Sequence, residues 1–265
     1  MRVIVTRPEH EAAPWVSGLQ TAGHEALAWP LIELGAVADP LPLQAAWQNK
    51  AQWQAVMLVS AQAVRHFFAA RPPAPAQGAM ASARYWVTGP GTQRALLEAG
   101  VPADQIDAPD GAAAQFDSEA LWQRVNAQVR PDAPVLIVRG ADASDGMSGS
   151  GEAQGQGRDW LGQQLQARGV PVQWLAAYER RCPNWSEDQR RAARVAAHDG
   201  SVWLWSSSQA LRHLQGLLPD TDWSTARAIV THPRIGEAAT ALGFGRVLGV
   251  RPVLDEVLAS LESLA

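Results

Sequence analysis

Six short stretches of the 265-residue chain set small, polar or arginine residues directly behind an apolar run: TRPE at Thr6, SAQA at Ser60, TGPGT at Thr88, RGAD at Arg139, SSSQ at Ser206 and THPRI at Thr231. Residues of these types at the start of a helix bind anions. Hydroxyl side chains hold the first turn, the leading N–H groups point outward at the positive end of the helix dipole, and arginine adds a full charge. Ser60, Ser207 and Ser208 stand where helix caps occur, while Arg7 and Arg139 end strands at equivalent places. A cap, a finished turn at Thr88, Thr92 or Thr231, or a surface arginine accounts for any one of these residues alone. The recurrence of the pattern is what favours carboxylate or phosphate binding.

Several other chemistries lack their residues. There is no G-x-x-x-x-G-K-[ST] phosphate loop, no H-E-x-x-H and no G-x-S-x-G elbow, and the glycines near Gly149 have neither G-x-G-x-x-G spacing nor a strand directly ahead. The six histidines show no ligand spacing, and His66 and His213 share a helix position that suggests a structural role. Cys182, the single cysteine, is too few for an internal disulfide or a thiolate metal site. All but one of the 22 basic residues are arginine, so Schiff-base chemistry would fall to Lys50 in the polar segment WQNKAQW. Of the two tyrosines, Tyr178 lies in the strand-like VQWLAAYERRCP, where the other half of the chain has Ile32 in AWPLIELG. Taken alone, ordinary packing is the favoured account of Tyr178, because tyrosines are common in strands.

The elements that position these residues are written twice. SAQAVRHF at Ser60 returns as SSQALRHL at Ser207, WVTGPGTQRALLEAG at Trp86 returns as IVTHPRIGEAATALG at Ile229, and LQTAG at Leu19 returns as LQARG at Leu165. The offsets are 147, 143 and 146, which marks an internal duplication. Each unit is an apolar run, a small polar turn, then apolar residues at helical spacing, such as Val64, Phe67 and Phe68 or Leu211, Leu214, Leu217 and Leu218. Gly100, Gly169 and Gly243 stand where helices end. Uninterrupted apolar strands alternating with helices predict an α/β fold with parallel sheets covered on both faces. The polar turns then lie at the carboxyl edges, where such sheets bind ligands; two facing edges would form a cleft. One interval breaks the symmetry: the Gly/Ser-rich residues 141–158 read as a surface loop, an insertion or a cover over the cleft.

Composition bounds the rest. The length predicts two domains, and at 47% hydrophobic residues the chain can fill both cores. No apolar run approaches the roughly 20 residues that cross a bilayer, and MRVIVTRPEHE turns polar too early for a signal peptide. A soluble, cytoplasmic protein is expected. The net charge of −4 and the lack of a basic face argue against nucleic acid as a partner. Trp86, Trp203 and Trp205 sit in the apolar runs and are expected to pack in the cores.

The order of these stretches carries a likeness. VIVTRPE, GHE and PLIEL, then VSAQAV and VTGPGT, then VRG, AYERR, WSSSQALRHL and AIVTHPRIGEAATALGF resemble, in that succession over nearly the whole chain, the uroporphyrinogen-III synthase family. The resemblance implies two flavodoxin-like α/β domains with parallel sheets, joined by a two-stranded β-ladder and related by a pseudo-two-fold internal duplication. Duplication alone would cut the chain near residue 131; the resemblance implies instead a discontinuous first domain of residues 1–32 plus 182–265, a second of 38–173, and connecting strands at 33–37 and 174–181.

It also implies a reaction: the linear tetrapyrrole hydroxymethylbilane loses water, inverts ring D and closes to uroporphyrinogen III, as a step of haem, sirohaem and cobalamin synthesis. The pyrrole nitrogens push the electrons, so neither metal nor coenzyme is implied. By likeness Tyr178 is the proton donor to the departing hydroxyl. The substrate's acetates and propionates would meet backbone amides at Ser60, Ala61 and Gln62, at Gly89 to Thr92, at Ser206, Ser207, Ser208 and Gln209, and at His232 to Arg234, with Arg7, Arg139 and Arg234 as charged partners. The sequence departs from the family at His232, where glycine is common before the proline, at Ile235, where threonine is frequent, and at Gln62 and Gln209, where asparagine is usual. A monomer is implied, with a transient contact to hydroxymethylbilane synthase and no membrane partner. Two other readings share the paired α/β domains: a glycosyltransferase-like enzyme, for which no diphosphate motif is present, and a non-catalytic anion-binding sensor.

Overall fold

The computed structural model describes residues 1–72, 83–110, 117–142 and 160–264. Most of the Gly/Ser-rich interval lies outside the described residues. Its first two, Ala141 and Asp142, close a strand.

The described chain runs β1 (Arg2–Val5), α1 (Glu9–Thr21), β2 (Glu25–Ala28), β3 (Glu33–Ala36), α2 (Leu41–Gln48), β4 (Ala55–Leu58), α3 (Ala61–Ala69), β5 (Arg84–Trp86), α4 (Pro90–Glu98), β6 (Ile106–Asp107) and α5 (Ser118–Val125). It continues through β7 (Val135–Asp142), α6 (Trp160–Ala167), β8 (Val172–Arg181), α7 (Glu187–Ala196), β9 (Val202–Trp205), α8 (Ser208–Leu217), β10 (Arg227–Val230), α9 (Pro233–Leu242), β11 (Arg246–Gly249) and α10 (Leu254–Glu262). The second series repeats the first element for element, with the single long β8 in the place of β2 and β3. Pro30, which has no N–H to give to a ladder, stands where β2 and β3 are parted.

The copies do not fold as halves. One compact unit is Met1–Leu34 with Arg181–Ala265, and the other is Gly35–Arg180. The first holds a sheet of order β11-β10-β9-β1-β2, the second a sheet of order β3-β8-β7-β4-β5-β6. Counted along the repeat, both contain the order 2-1-3-4-5 of a flavodoxin-like sheet. Strands 1 and 2 of each sheet come from one copy and strands 3, 4 and 5 from the other, so β1 and β2 complete β9–β11 while β7 and β8 complete β4–β6. From β1–β2 and β1–β9 in the first sheet to β4–β7 and β7–β8 in the second, the ladders are parallel. The predicted α/β class holds.

Alternation in the strands builds a core on each face. In the first unit Val3 and Val5 pack with Ala12 and Leu19 of α1 and Val257 and Leu261 of α10. Ile4, between them, packs on the other face with α7, α8 and α9 through Ala193, Leu211, Leu214 and Ile235. Trp203, Trp205, Trp223 and Phe244 join that face, with Trp203 and Trp205 stacked at 5.8 Å. In the second unit Met57, Trp86, Val135 and Ile137 meet Leu121 and Val125 of α5 and Leu161 and Leu165 of α6. The tryptophans expected in the cores are there. Gly100 and Gly243, which follow equivalent helices, adopt φ of +84° and +103°, the left-handed conformation that ends a helix without a Cβ penalty.

One expected turn is a strand. RGAD at Arg139 continues β7, because the long β8 offers it partners out to Asp142↔Arg180. At the equivalent place β1 ends at Val5, since β2 ends opposite it at Ala28.

Candidate active site

In a 2-1-3-4-5 sheet the strand order reverses between strands 1 and 3, whose following helices leave toward opposite faces and open a crevice at the carboxyl edge. That switch point lies between β1 and β9 in the first unit and between β7 and β4 in the second. Near that edge stand Arg7 and Ser206 in one sheet, beyond the ends of β1 and β9, and in the other Ser60, beyond the end of β4, with Arg139 inside β7.

The first unit places Arg7 through Thr6, whose hydroxyl donates to the Leu204 carbonyl at 2.8 Å while its N–H bonds the same oxygen at 3.3 Å. The guanidinium lies 4.7 Å from the Trp15 ring centroid and 3.7 Å from the Glu11 carboxylate. Its Nε is buried with no hydrogen-bond partner. Burial pulls the guanidinium below its ordinary pKa, against the opposing pull of Glu11, but an arginine stays cationic at physiological pH. Ser207 caps α8, its Oγ accepting the Gln209 N–H at 3.2 Å. Ser206 precedes the cap and Ser208 is the first helical residue rather than a cap. His232 caps α9: its Nδ1 accepts the Arg234 N–H at 3.1 Å. That amide, expected to meet substrate, is therefore engaged by the protein's own imidazole, and the Arg234 side chain is exposed.

In the second unit Arg139 lies over an indole as Arg7 does, 4.7 Å from the Trp174 ring centroid. Ser60 caps α3, its Oγ accepting the Ala63 N–H at 3.1 Å, with Ala61 and Gln62 forming the first turn at the positive end of the helix. One strand further out Gly89 is the N-cap of α4 and Pro90 its first residue, while Thr92 is buried in that first turn. A Cβ built on Gly89 or Gly91 meets nothing within 4 Å, while Pro90 has no N–H to offer and the Thr92 N–H bonds the Gly89 carbonyl at 3.2 Å.

Tyr178 is brought to the same edge by β8. It is buried at 6% exposure, and its hydroxyl lies 3.3 Å from Ser60 Oγ. The β7–β8 register shifts between Arg139 and Gly140, so that Arg139 faces Ala176 and Gly140 faces Tyr178. Such a bulge re-aims the side chain that follows it. The ring passes so close to Gly140 that a Cβ there would stand 2.5 Å from Tyr178 Cζ and 2.9 Å from its oxygen. His66 of α3 stacks on the phenol with centroids 5.5 Å apart and planes 28° from parallel, and burial lowers its pKa, favouring the neutral ring. Tyr85, by contrast, is a core residue whose phenol burial pushes up to about 12.

Sequence reasoning missed Gly140, and it read His66 as structural without placing it against Tyr178. The signal for Gly140 was a glycine interrupting an apolar strand, which marks a bulge or a close approach. The signal for His66 was its repeat in His213, whose Nδ1 lies 2.6 Å from the Leu31 carbonyl. Both histidines thus address the same equivalent stretch, since Ile32 is the counterpart of Tyr178. Among the described residues no three His, Cys, Asp or Glu side chains converge as metal ligands, and no helix is long and apolar enough to cross a membrane.

Known proteins share this chain's pattern. The family model described as Uroporphyrinogen-III synthase HemD matches residues 13–256, which takes in every candidate position except Arg7. The uroporphyrinogen-III synthase of Synechococcus elongatus is 26% identical over 279 residues, covering 99% of this chain and 95% of that one. In fold, the chain is similar to a mutant uroporphyrinogen III synthase from Thermus thermophilus, with a TM-score of 0.56 at 16% identity and coverage of 100% and 98% of the two chains. It is likewise similar to the enzyme from Helicobacter pylori, with a TM-score of 0.57 at 14% identity and both chains fully covered. With a duplicated flavodoxin-like order in the sheets and a family match over nearly its whole length, the chain belongs to the uroporphyrinogen-III synthase family.

Proposed function

We propose that this enzyme cyclises hydroxymethylbilane to uroporphyrinogen III with Tyr178 as the proton donor. The observation that carries the assignment is the phenol at the carboxyl edge, one strand from the switch point, beside the hydroxyl that caps α3. Family membership supports the reaction and this geometry supports the residue.

The departing hydroxymethyl oxygen takes the proton of Tyr178; the C–O bond breaks with its electron pair on oxygen, and water leaves. A pyrrole nitrogen supplies the electrons that replace that bond, giving an electrophilic azafulvene, and the substituted carbon of ring D attacks its exocyclic carbon to form the spiro intermediate. The spiro intermediate fragments and recloses with ring D inverted, and the macrocycle loses one proton, which the phenolate takes back. Water is the net loss, and no electron acceptor is required. Because the free bilane closes unaided to the uninverted isomer I, holding it in the conformation that leads to the spiro route is the main task of the protein.

The Arg7–Trp15 and Arg139–Trp174 pairs serve as receptors for the substrate's carboxylates, each with an indole holding the guanidinium. Arg7→Gln and Arg139→Gln are each expected to raise KM about tenfold with kcat nearly unchanged, as loss of a charged hydrogen bond made equally in ground and transition states requires. A fall in kcat at constant KM in steady-state assays would refute that role. The enzyme acts as a cytoplasmic, cofactor-free monomer in this reading, and the short life of its substrate favours direct transfer from hydroxymethylbilane synthase.

The test is incubation with freshly generated hydroxymethylbilane and chromatographic separation of the isomers. The proposal expects isomer III to displace isomer I; an unchanged mixture would refute it.

A further inference from the structure

The contact between Ser60 and Tyr178 joins two features that are separate in sequence, a helix cap and a strand tyrosine, and its atoms have limited choices. Ser60 Oγ already accepts the Ala63 N–H at 3.1 Å, so its own proton is available to Tyr178, 3.3 Å away. A phenol that gives its proton to substrate must accept a hydrogen bond from elsewhere as charge builds on its oxygen. Ser60 is the group placed to supply it, at the positive end of α3. The separation is longer than a tight O–H···O bond; such contacts shorten as the acceptor becomes anionic and tighten in the reacting complex. The remaining contacts restrict the ring rather than its proton. Gly140 leaves the space the phenol occupies, and neutral His66 stacks along it.

We infer that Ser60 is the positioning residue of Tyr178: its hydroxyl donates to the phenol oxygen, turns the phenol proton toward the substrate and stabilises the phenolate left behind. This rests on the reading of Tyr178 as proton donor. It makes the cap of α3 part of the proton path, a role distinct from binding a substrate carboxylate. The step is one proton moving from Tyr178 to the departing oxygen and back at ring closure, with Ser60 keeping its own.

The experiment is a double-mutant cycle on kcat for isomer III formation, using Ser60→Ala, Tyr178→Phe and the pair. Ser60→Ala is expected to lower kcat about tenfold, the scale of a hydrogen bond to a charged group, with little change in KM. Added to Tyr178→Phe, it should cost nothing further. Ser60→Thr, which keeps both the cap and the donor, should recover most of the loss. If Ser60→Ala folds too poorly to assay, Ser60→Gly takes its place in the same cycle, since glycine is nearly as good at a helix cap but has no proton to give. An equal loss in both backgrounds, or a loss confined to KM, would show Ser60 serving the helix or the substrate directly and would overturn the inference. So would the absence of any loss. If Tyr178→Phe alone turned over as fast as the parent, the assignment of Tyr178 would be what had failed.

Discussion

Replacing Tyr178 with phenylalanine lowers kcat for isomer III about a hundredfold in the outcome expected here, leaves KM within about twofold, and does not abolish the product. General-acid assistance contributes about 10²–10⁴-fold, and a phenol, weakly acidic near neutrality, belongs at the lower end. Substrate folding, which the rest of the protein supplies, is retained, so the residual enzymatic product is still isomer III. As turnover slows, the unaided closure competes and isomer I appears beside it. Steady-state kinetics with both isomers resolved checks the two statements together. Full activity in the phenylalanine variant would leave the leaving group to depart on pyrrole electron push alone and would remove the phenol from the mechanism.

Gly140→Ala should be as damaging as removing the phenol, although it adds one methyl group and touches no substrate. The new Cβ would stand 2.5 Å from Tyr178 Cζ and 2.6 Å from Cε2. The β7 backbone at Gly140 is paired to β8 directly opposite Tyr178, while its ladder with β4 ends at Val138. The ring must swing away from Ser60, with a fall in kcat close to that of Tyr178→Phe. Overpacking of this kind also costs about 1–3 kcal/mol of stability, so the assay belongs well below the unfolding midpoint. Combining Gly140→Ala with Tyr178→Phe should lower kcat no further than either alone. An alanine variant as active as the parent would mean that the phenol works from another position.

Local features of the fold could be read from the sequence. The apolar runs of β4 and β9, the helical spacing of α3 and α8 and the terminal glycines are contained within a few residues, and the doubled SAQAVRHF and SSQALRHL stretches exposed the duplication. The exchange of strands could not be read in the same way. Alternation shows that Val3 and Val5 face one way and Ile4 the other, but not that β1 will pair with β9 from the distant copy; that choice is made by packing across more than half the chain. Only the resemblance pointed to it.

The site divides along the same line. Ser60 and Ser207 could be read as caps because a cap is local, and both cap helices. The seat of Tyr178 was hidden because it depends on a register shift between two strands and on a helix packed above them. At His232, where amides were expected to meet substrate, the imidazole accepts the Arg234 N–H, a contact that the sequence reading did not include.

Strand exchange also sets a timetable for biosynthesis. The unit Gly35–Arg180 is one continuous stretch and can close its sheet while the ribosome is still extending the chain. Met1–Leu34 has no such opportunity: β1 lies between β2 and β9, and β9 begins only at Val202. Val3, Ile4 and Val5, fully buried once folding is complete, can meet β2 and α1 early but gain β9 only after the whole second unit has been made, so the β1 edge that β9 covers stays open to aggregation throughout that interval.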